Sequence, residues 1–361
     1  MEPAQDARFL ATLVQRGHLP LEMARALDPE LRAGAAIDDL LVRKAGWTKE
    51  SVVRARRTEA GVAPEIPGFE VVKRIGTGGT SDVFEARDRK SGDRVALKVL
   101  SPVAARSPAT LKSFVNEARR LAELAHPHIV KGRGLAKFPG FAPDTFVYFA
   151  VLELVDGSTL LERLDAGERF EEEDLLGIVG QVADALDYLH AQGVVHRDVK
   201  PGNLMLASDG TLKLIDLGFA AGAGERSAEG TASGTSAYLD PQRAQGGATA
   251  DLRGDVYSLG VTLFHLRLGR LPFDATDDHE LLRQHVMKSL SSPEMKSRGV
   301  SPHLHYLIEK MMSKDPGLRF QSWAELRREV EETRETLEKM RAMEAGADNP
   351  VRKAPPRRRK F

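Results

Sequence analysis

Eight residues, His196-Arg197-Asp198-Val199-Lys200-Pro201-Gly202-Asn203, combine the side chains that group transfer to a hydroxyl would need. Asp198 is a carboxylate that can accept the proton of a hydroxyl nucleophile. Lys200, two residues on, is a point charge able to balance a transferring phosphoryl group. Asn203 offers a neutral oxygen suited to Mg²⁺. Arg197 can hold an anion beside the loop. Val194 and Val195 precede the octet, and Leu204, Met205 and Leu206 come directly after it. Short apolar segments flanking a polar loop are how a rigid scaffold presents reactive groups. Taken alone the octet also fits a solvated turn, and residues elsewhere in the chain decide between the two.

The elements that must position this loop can be read from periodicity. Phe69 to Ile75 alternates like a strand and runs into Gly76-Thr77-Gly78-Gly79-Thr80-Ser81-Asp82-Val83. A glycine-rich turn between strands lets backbone N–H groups approach phosphates closely. The next strand carries Val95-Ala96-Leu97-Lys98, which places a lysine in an apolar run just downstream of that turn. An amphipathic helix over Leu111 to Leu124 carries Glu117, either a carboxylate within reach of Lys98 or an ordinary exposed glutamate. His126 and His128 shape the turn into a further strand. Phe146 to Val155 is a buried strand that Gly157 interrupts, and Glu171 to Gln192 is a long core helix delivering the chain to the octet. Beyond the octet, Leu212-Lys213-Leu214-Ile215-Asp216-Leu217-Gly218 sets an aspartate after an apolar strand and before a glycine, well sited to ligate Mg²⁺. The small, polar composition of residues 219–236 suits a mobile segment. Asp255 to Arg328 reads as helices broken at Leu271-Pro272-Phe273, Ser301-Pro302 and Asp315-Pro316-Gly317.

The chain has 361 residues, enough for more than one domain, and 52 basic residues balance 52 acidic ones. Balanced charge argues against nucleic acid or a membrane surface as the main partner. With no cysteine there is no disulfide, thiolate metal site or cysteine nucleophile. The acidic start, Met1 to Asp6, lacks the apolar core of a signal peptide. No window approaches the roughly 18 apolar residues of a membrane helix. A cytoplasmic protein, taking its signal there or through partners, is the expectation. Residues 1–66 read as a separate helical module of open role. Within it, Leu13 to His18 echoes Leu41 to Trp47 at an offset of 28 residues, drifting to 29 at the glycines. Either a true repeat of two helix-turn-helix units or chance would give this. Ala63 to Gly68 reads as a stiff linker. At the other end, Trp323, Leu326, Val330, Thr333, Leu337 and Met340 form a heptad-like seam. Its part beyond about Glu332 is expected to project as a helical extension, with pairs such as Arg334 and Glu338; self-association through it is the sharper alternative. A basic tail, Arg352 to Lys360, ends the 331–361 region.

Together these residues resemble the protein kinase family, in its Ser/Thr branch and bacterial, eukaryotic-like style, over roughly residues 69–330. Seven motifs stand in order: the glycine loop, Lys98, Glu117, the His196-Arg197-Asp198 loop, Asp216-Leu217-Gly218, Gly234-Thr235 through Pro241, and Asp255-Val256-Tyr257-Ser258-Leu259-Gly260. The resemblance implies an α+β, bilobal kinase fold. A small β-rich N-lobe (69–154) and a large helical C-lobe (155–330) would make a kinase domain over 67–330, behind the all-helical N-terminal module. ATP would bind under Ile75, Gly76, Thr77, Gly78, Gly79 and Val83, against the backbone of Glu153 to Val155. By the same resemblance, Ala96 and Leu206 would be further nucleotide contacts, and Leu152 would gate the adenine pocket. Lys98 would hold the phosphates and pair with Glu117, Asp216 and Asn203 would hold Mg²⁺, and Asp198 and Lys200 would act on the acceptor hydroxyl of a protein substrate.

Lysine at position 200 matches Ser/Thr kinases. Two residues depart from the pattern. Ser81 stands at the third loop glycine, and Gln242 replaces the glutamate that usually partners the arginine here at Arg319. The neutral amide gives up about 1 kcal/mol of charge assistance, which puts the rigidity of the substrate segment in question. The alternative function is a pseudokinase scaffold. Lys98, Asp198, Asn203 and Asp216 are all present, and pseudokinases typically lack at least one. Small-molecule phosphotransferases of related fold generally lack the Thr235-to-Gln242 segment. Phosphorylation in 219–236 is expected at Thr231 and Ser233, with Ser227 third, while Thr235 is expected to be structural.

Overall fold

The computed structural model describes residues 3–59, 64–217, 236–247, 251–290 and 292–347. The expected phosphorylation sites and Thr235 lie outside the described residues, as does the basic tail. The chain divides into two compact units, Met1–Gly157 with Ile215–Ser227, and Ser158–Leu214 with Ala228–Phe361. Ile215, Asp216 and Leu217 group with the first unit, as do the N-terminal helices.

Those helices are α1 (Pro3–Gln15), α2 (Leu21–Arg32), α3 (Ile37–Ala45) and α4 (Lys49–Glu59). Leu13, Leu27, Ile37, Leu40 and Leu41 are fully buried between them. The sequence echo has a structural counterpart. Gly17 (φ 72) and Gly46 (φ 70) both adopt the left-handed conformation that ends a helix. Two residues on from Gly17, Leu19 donates its N–H to Leu13 O at 3.1 Å, and Trp47 donates to Leu41 O at 3.0 Å. In both turns the N–H six residues on bonds the leucine carbonyl, although the glycine stands four residues after Leu13 and five after Leu41. The module is not separate from the sheet, because Phe141 and Ala142 pack against its core.

The rest of the first unit is a five-stranded antiparallel sheet in the order β1-β2-β3-β5-β4. The strands are β1 (Phe69–Thr77), β2 (Ser81–Asp88), β3 (Arg94–Leu100), β4 (Gly132–Pro139) and β5 (Phe146–Glu153). Alternation sorts the faces of β3. Val95 and Leu97 enter a core with Ala86, Phe149 and Ile66, so the linker residue Ile66 belongs to the sheet. Ala96 and Lys98 take the other face. Between β3 and β4 lie α5 (Pro102–Ala105) and α6 (Pro108–Glu123), the latter starting three residues before the expected Leu111. Ser101 and Ser107 cap them, each directly before a proline whose fixed φ suits a first turn.

The second unit holds a three-stranded sheet of β6 (Gly157–Thr159), β7 (Leu204–Ala207) and β8 (Leu212–Leu214). Its helices are α7 (Leu160–Asp165), α8 (Glu172–Ala191), α9 (Pro241–Ala244), α10 (Leu252–Leu268), α11 (Asp278–Met287), α12 (Ser292–Ser297), α13 (Pro302–Met311) and α14 (Trp323–Ala347). Leu175, Leu186 and Leu189 of α8 are buried as their spacing requires. The α14 seam does not leave the lobe at Glu332. Trp323, Leu326, Val330 and Thr333 are buried, Leu337 is half-buried beside Leu176 of α8, and Arg341 pairs with Glu173 of α8. The pairs formed along α14 are Arg334–Glu331 and Lys339–Glu335, both at 3.3 Å. No helix among the described residues is long and apolar enough to cross a membrane.

Candidate active site

Lys98 sits in β3 between Val83 of β2 and Ala150 of β5, and Ala96 pairs with Leu152. Its ammonium donates to Glu117 Oε1 at 2.7 Å and to Asp216 Oδ2 at 3.1 Å. The helix glutamate therefore does reach the strand lysine. Burial opposes the charge on Lys98, but the carboxylates of Asp216 and Glu117 outweigh it and hold the ammonium above the ordinary lysine range. Glu117 is itself buried. Burial and the nearby Asp216 carboxylate push it above the ordinary carboxylate range, against the pull of Lys98. Asp216 is the more exposed of the two carboxylates, at 38% of its side chain.

The glycine turn between β1 and β2 closes with Gly78 N–H donating to Ser81 O at 2.8 Å. Ser81 is the first residue of β2 and is buried opposite Leu100. It lies on extended backbone that any side chain can adopt, so the missing third glycine causes no strain. Ile75, Gly76 and Thr77 end β1, with Gly76 opposite Val83. Glu153 ends β5, and its carboxylate accepts the Lys131 N–H at 2.9 Å.

In the second unit the octet is held from several sides. Arg197 has φ 70, a left-handed backbone that a non-glycine residue adopts at a cost of about 1–3 kcal/mol. Asp255 of α10 holds it there: Oδ2 accepts His196 N–H at 2.8 Å and Oδ1 accepts Arg197 N–H at 2.7 Å. Burial pushes the Asp255 carboxyl above its ordinary range, while His196 and the two N–H groups oppose the shift. Arg243 donates to Arg197 O at 2.6 Å. Asn203 Nδ2 donates to Asp198 O at 2.8 Å and to Asp198 Oδ2 at 2.9 Å, and Lys200 Nζ meets the same Oδ2 at 2.9 Å. Asp198 Oδ1 is buried and has no hydrogen-bond partner among the described residues. One oxygen of the carboxylate is thus committed and the other is left as an acceptor. Leu206 lies on β7 opposite Leu212.

Each unit carries an oxygen donor of the kind a hard divalent cation takes. Asp216 offers a carboxylate. Asn203 spends its amide nitrogen on Asp198, which leaves its carbonyl oxygen to coordinate. The Arg243 contact was not legible in the sequence, since an arginine in a Pro-Gln-Arg run carries no sign of a carbonyl brought near by folding.

The family model described as "Protein kinase domain" matches residues 69–329. A probable serine/threonine-protein kinase of Streptomyces coelicolor is 34% identical over 267 residues, covering 73% of this chain and 39% of that protein. The serine/threonine-protein kinase PknB of Mycolicibacterium smegmatis is 34% identical over 268 residues, covering 73% of this chain and 42% of the relative. The probable PknB of Lactococcus lactis is 31% identical over 265 residues, covering 73% and 41%. The chain belongs to the protein kinase family. It spans about two fifths of the length of these curated relatives, all bacterial and all named as serine/threonine kinases.

Proposed function

We propose that the chain is an ATP-dependent Ser/Thr protein kinase that transfers the γ-phosphoryl group to a hydroxyl of a protein substrate. The observation that carries this is Asp198, whose Oδ2 is fixed by Asn203 and Lys200 while Oδ1 is buried and meets no partner among the described residues. A carboxylate so oriented can take the hydroxyl proton as the hydroxyl oxygen bonds to the γ-phosphorus and ADP leaves. Lys200 balances charge on the phosphoryl oxygens. Lys98, held by Glu117, engages the phosphates of the nucleotide. Asp216 and Asn203 would hold Mg²⁺, which when bound neutralises phosphate charge. The residues from Ile75 to Gly79, with Val83, Ala96, Leu152, Glu153, Val155 and Leu206, are the proposed nucleotide contacts. Positioning and charge neutralisation are what this transfer requires.

Autophosphorylation at Thr231 or Ser233 is part of the proposal, because a phosphate there would offer Arg197 a charged partner close to Asp198. Mass spectrometry of active enzyme tests it, and an unmodified 219–236 segment would reject it. Transfer itself is tested with radiolabelled ATP, Mg²⁺ and a generic protein acceptor. Label is expected on Ser or Thr of the acceptor, with a loss of about 10³-fold or more in Asp198→Asn, given what base removal costs. ATP binding without transfer by the unaltered chain would establish the scaffold alternative instead.

A further inference from the structure

A cavity of about 610 Å³ opens between the N-terminal helices and the sheet, on the face of β3 opposite Lys98. Its apolar wall is formed by Val72, Phe84, Val99, Phe138, Phe141 and Val147. This volume lies in the range of small-molecule sites. Cations outnumber carboxylates in the described lining: Arg16, Arg54, Arg57, Lys73 and Arg74 share it with Glu65 and Asp82. Glu65 pairs with Arg57, and Asp82 is 3.9 Å from Arg74. Glu85, outside the lining, is 3.7 Å from Lys73.

Arg54 links the two walls. Its guanidinium lies over the Phe141 ring at 5.6 Å, and Nη2 donates to Gly140 O at 3.1 Å. Its Nε is buried and has no hydrogen-bond partner among the described residues. His18, also in the lining, packs against Phe141 with ring centroids 4.7 Å apart and planes tilted by 56°. Burial and the charges of Arg16 and Arg106 hold it down at about 4, as expected of a wall that is both poorly hydrated and positive.

We propose that this cavity binds a small amphiphilic anion, an alkyl or acyl body carrying a single phosphate or carboxylate. The apolar wall would take the body. The head would lie against Arg54 and its neighbours, where an anion gives the orphaned Nε an acceptor. The chain's own tail, Arg352 to Lys360, carries the same sign as this rim and does not match it.

Calorimetry on the full chain with dodecyl phosphate, kept below its micelle concentration, tests the proposal. One equivalent is expected to bind, at least tenfold more tightly than the neutral dodecyl maltoside or inorganic phosphate. Val72→Trp, which fills the mouth from the strand side, and Arg54→Gln should each weaken binding tenfold or more without changing the circular dichroism spectrum. If Arg54→Gln loosens the helical module, Val72→Trp decides alone. No saturable binding, equal binding of the maltoside, or undiminished binding by Val72→Trp would each overturn the proposal.

Discussion

Arg319 is a fully buried cation with every donor nitrogen engaged. Nε donates to Ser313 O at 2.7 Å and Nη1 to Arg253 O at 2.8 Å, while Nη2 reaches Gln242 Oε1 at 2.7 Å and Lys314 O at 3.2 Å. The glutamine that looked like a weakened glutamate uses both ends of its amide, because Nε2 donates to Lys314 O at 2.9 Å. A carboxylate in its place would strengthen the Arg319 contact but set an acceptor against the Lys314 carbonyl. Gln242→Glu is therefore expected to be no more stable than the parent. Gln242→Ala, which leaves buried groups unpaired, should lose about 1–3 kcal/mol. Urea denaturation monitored at the second unit checks both, and a clear stabilisation by Gln242→Glu would show the amide to be a defect. The Lys98–Glu117–Asp216 trio gives a companion expectation. Lys98→Met and Asp216→Ala should each abolish transfer and stay folded, since neither side chain belongs to the apolar core. Unfolding of either variant at room temperature would count against these roles.

At the scale of elements, the position of α6 rests on a close approach. A Cβ on Gly132, the first residue of β4, would lie 2.6 Å from Ala122 N and Leu121 C, both backbone atoms of α6. Gly132→Ala must therefore push α6 outwards, and Glu117 with it. We expect a fall in kcat of tenfold or more with a smaller change in melting temperature; an unchanged kcat would uncouple α6 placement from activity. The seating of the helical module on Phe141 should depend on pH. His18 binds its proton near 6.5 when unfolded but near 4 when folded. Between these values the unfolded form holds more protons, so stability rises with pH there and falls as pH drops, by up to about 3 kcal/mol. His285, buried in the second unit and also held at about 4, has the same sign. A local readout is needed for that reason. Hydrogen exchange of residues 37–59 should accelerate from pH 6.5 to 4 after correction for intrinsic rates, and His18→Gln should flatten the dependence.

Over the whole molecule, α14 contributes stability through its contact with α8. Arg327 bridges Asp184 at 2.6 Å and Asp187 at 2.7 Å, and the seam continues through Thr333 to the Arg341–Glu173 pair. The apolar positions that suggested a second chain thus have a partner in the same unit as far as Leu337. Of the seam's positions, Met340 is exposed, at 46%. Ending the chain at Glu332 removes the buried Thr333 and the half-buried Leu337. That should lower the melting temperature by several degrees, on the scale of about 2 kcal/mol for partial loss of such burial. Sedimentation at tens of micromolar should show both chains as monomers. A dimer in the longer chain alone would restore the self-association reading.

The local chemistry was legible because it rests on residue types at short spacing. The octet around Asp198, the strand lysine, the glycine turn and the helix carrying Glu117 are each set by periodicity and by groups within a few residues. The fold class and the family are set by their order. Tertiary structure decided what distant segments do to one another. Asp255 holds a strained Arg197 from 58 residues away in sequence, and Arg243 reaches the same loop through a contact that no local pattern encodes. Gln242 looked like a loss until the fold brought Lys314 O to its amide nitrogen. The N-terminal helices could be read as helices, since amphipathicity is local. Their seat was not legible, because it depends on Phe141 in a loop of the sheet, and an apolar residue does not say which surface will bury it.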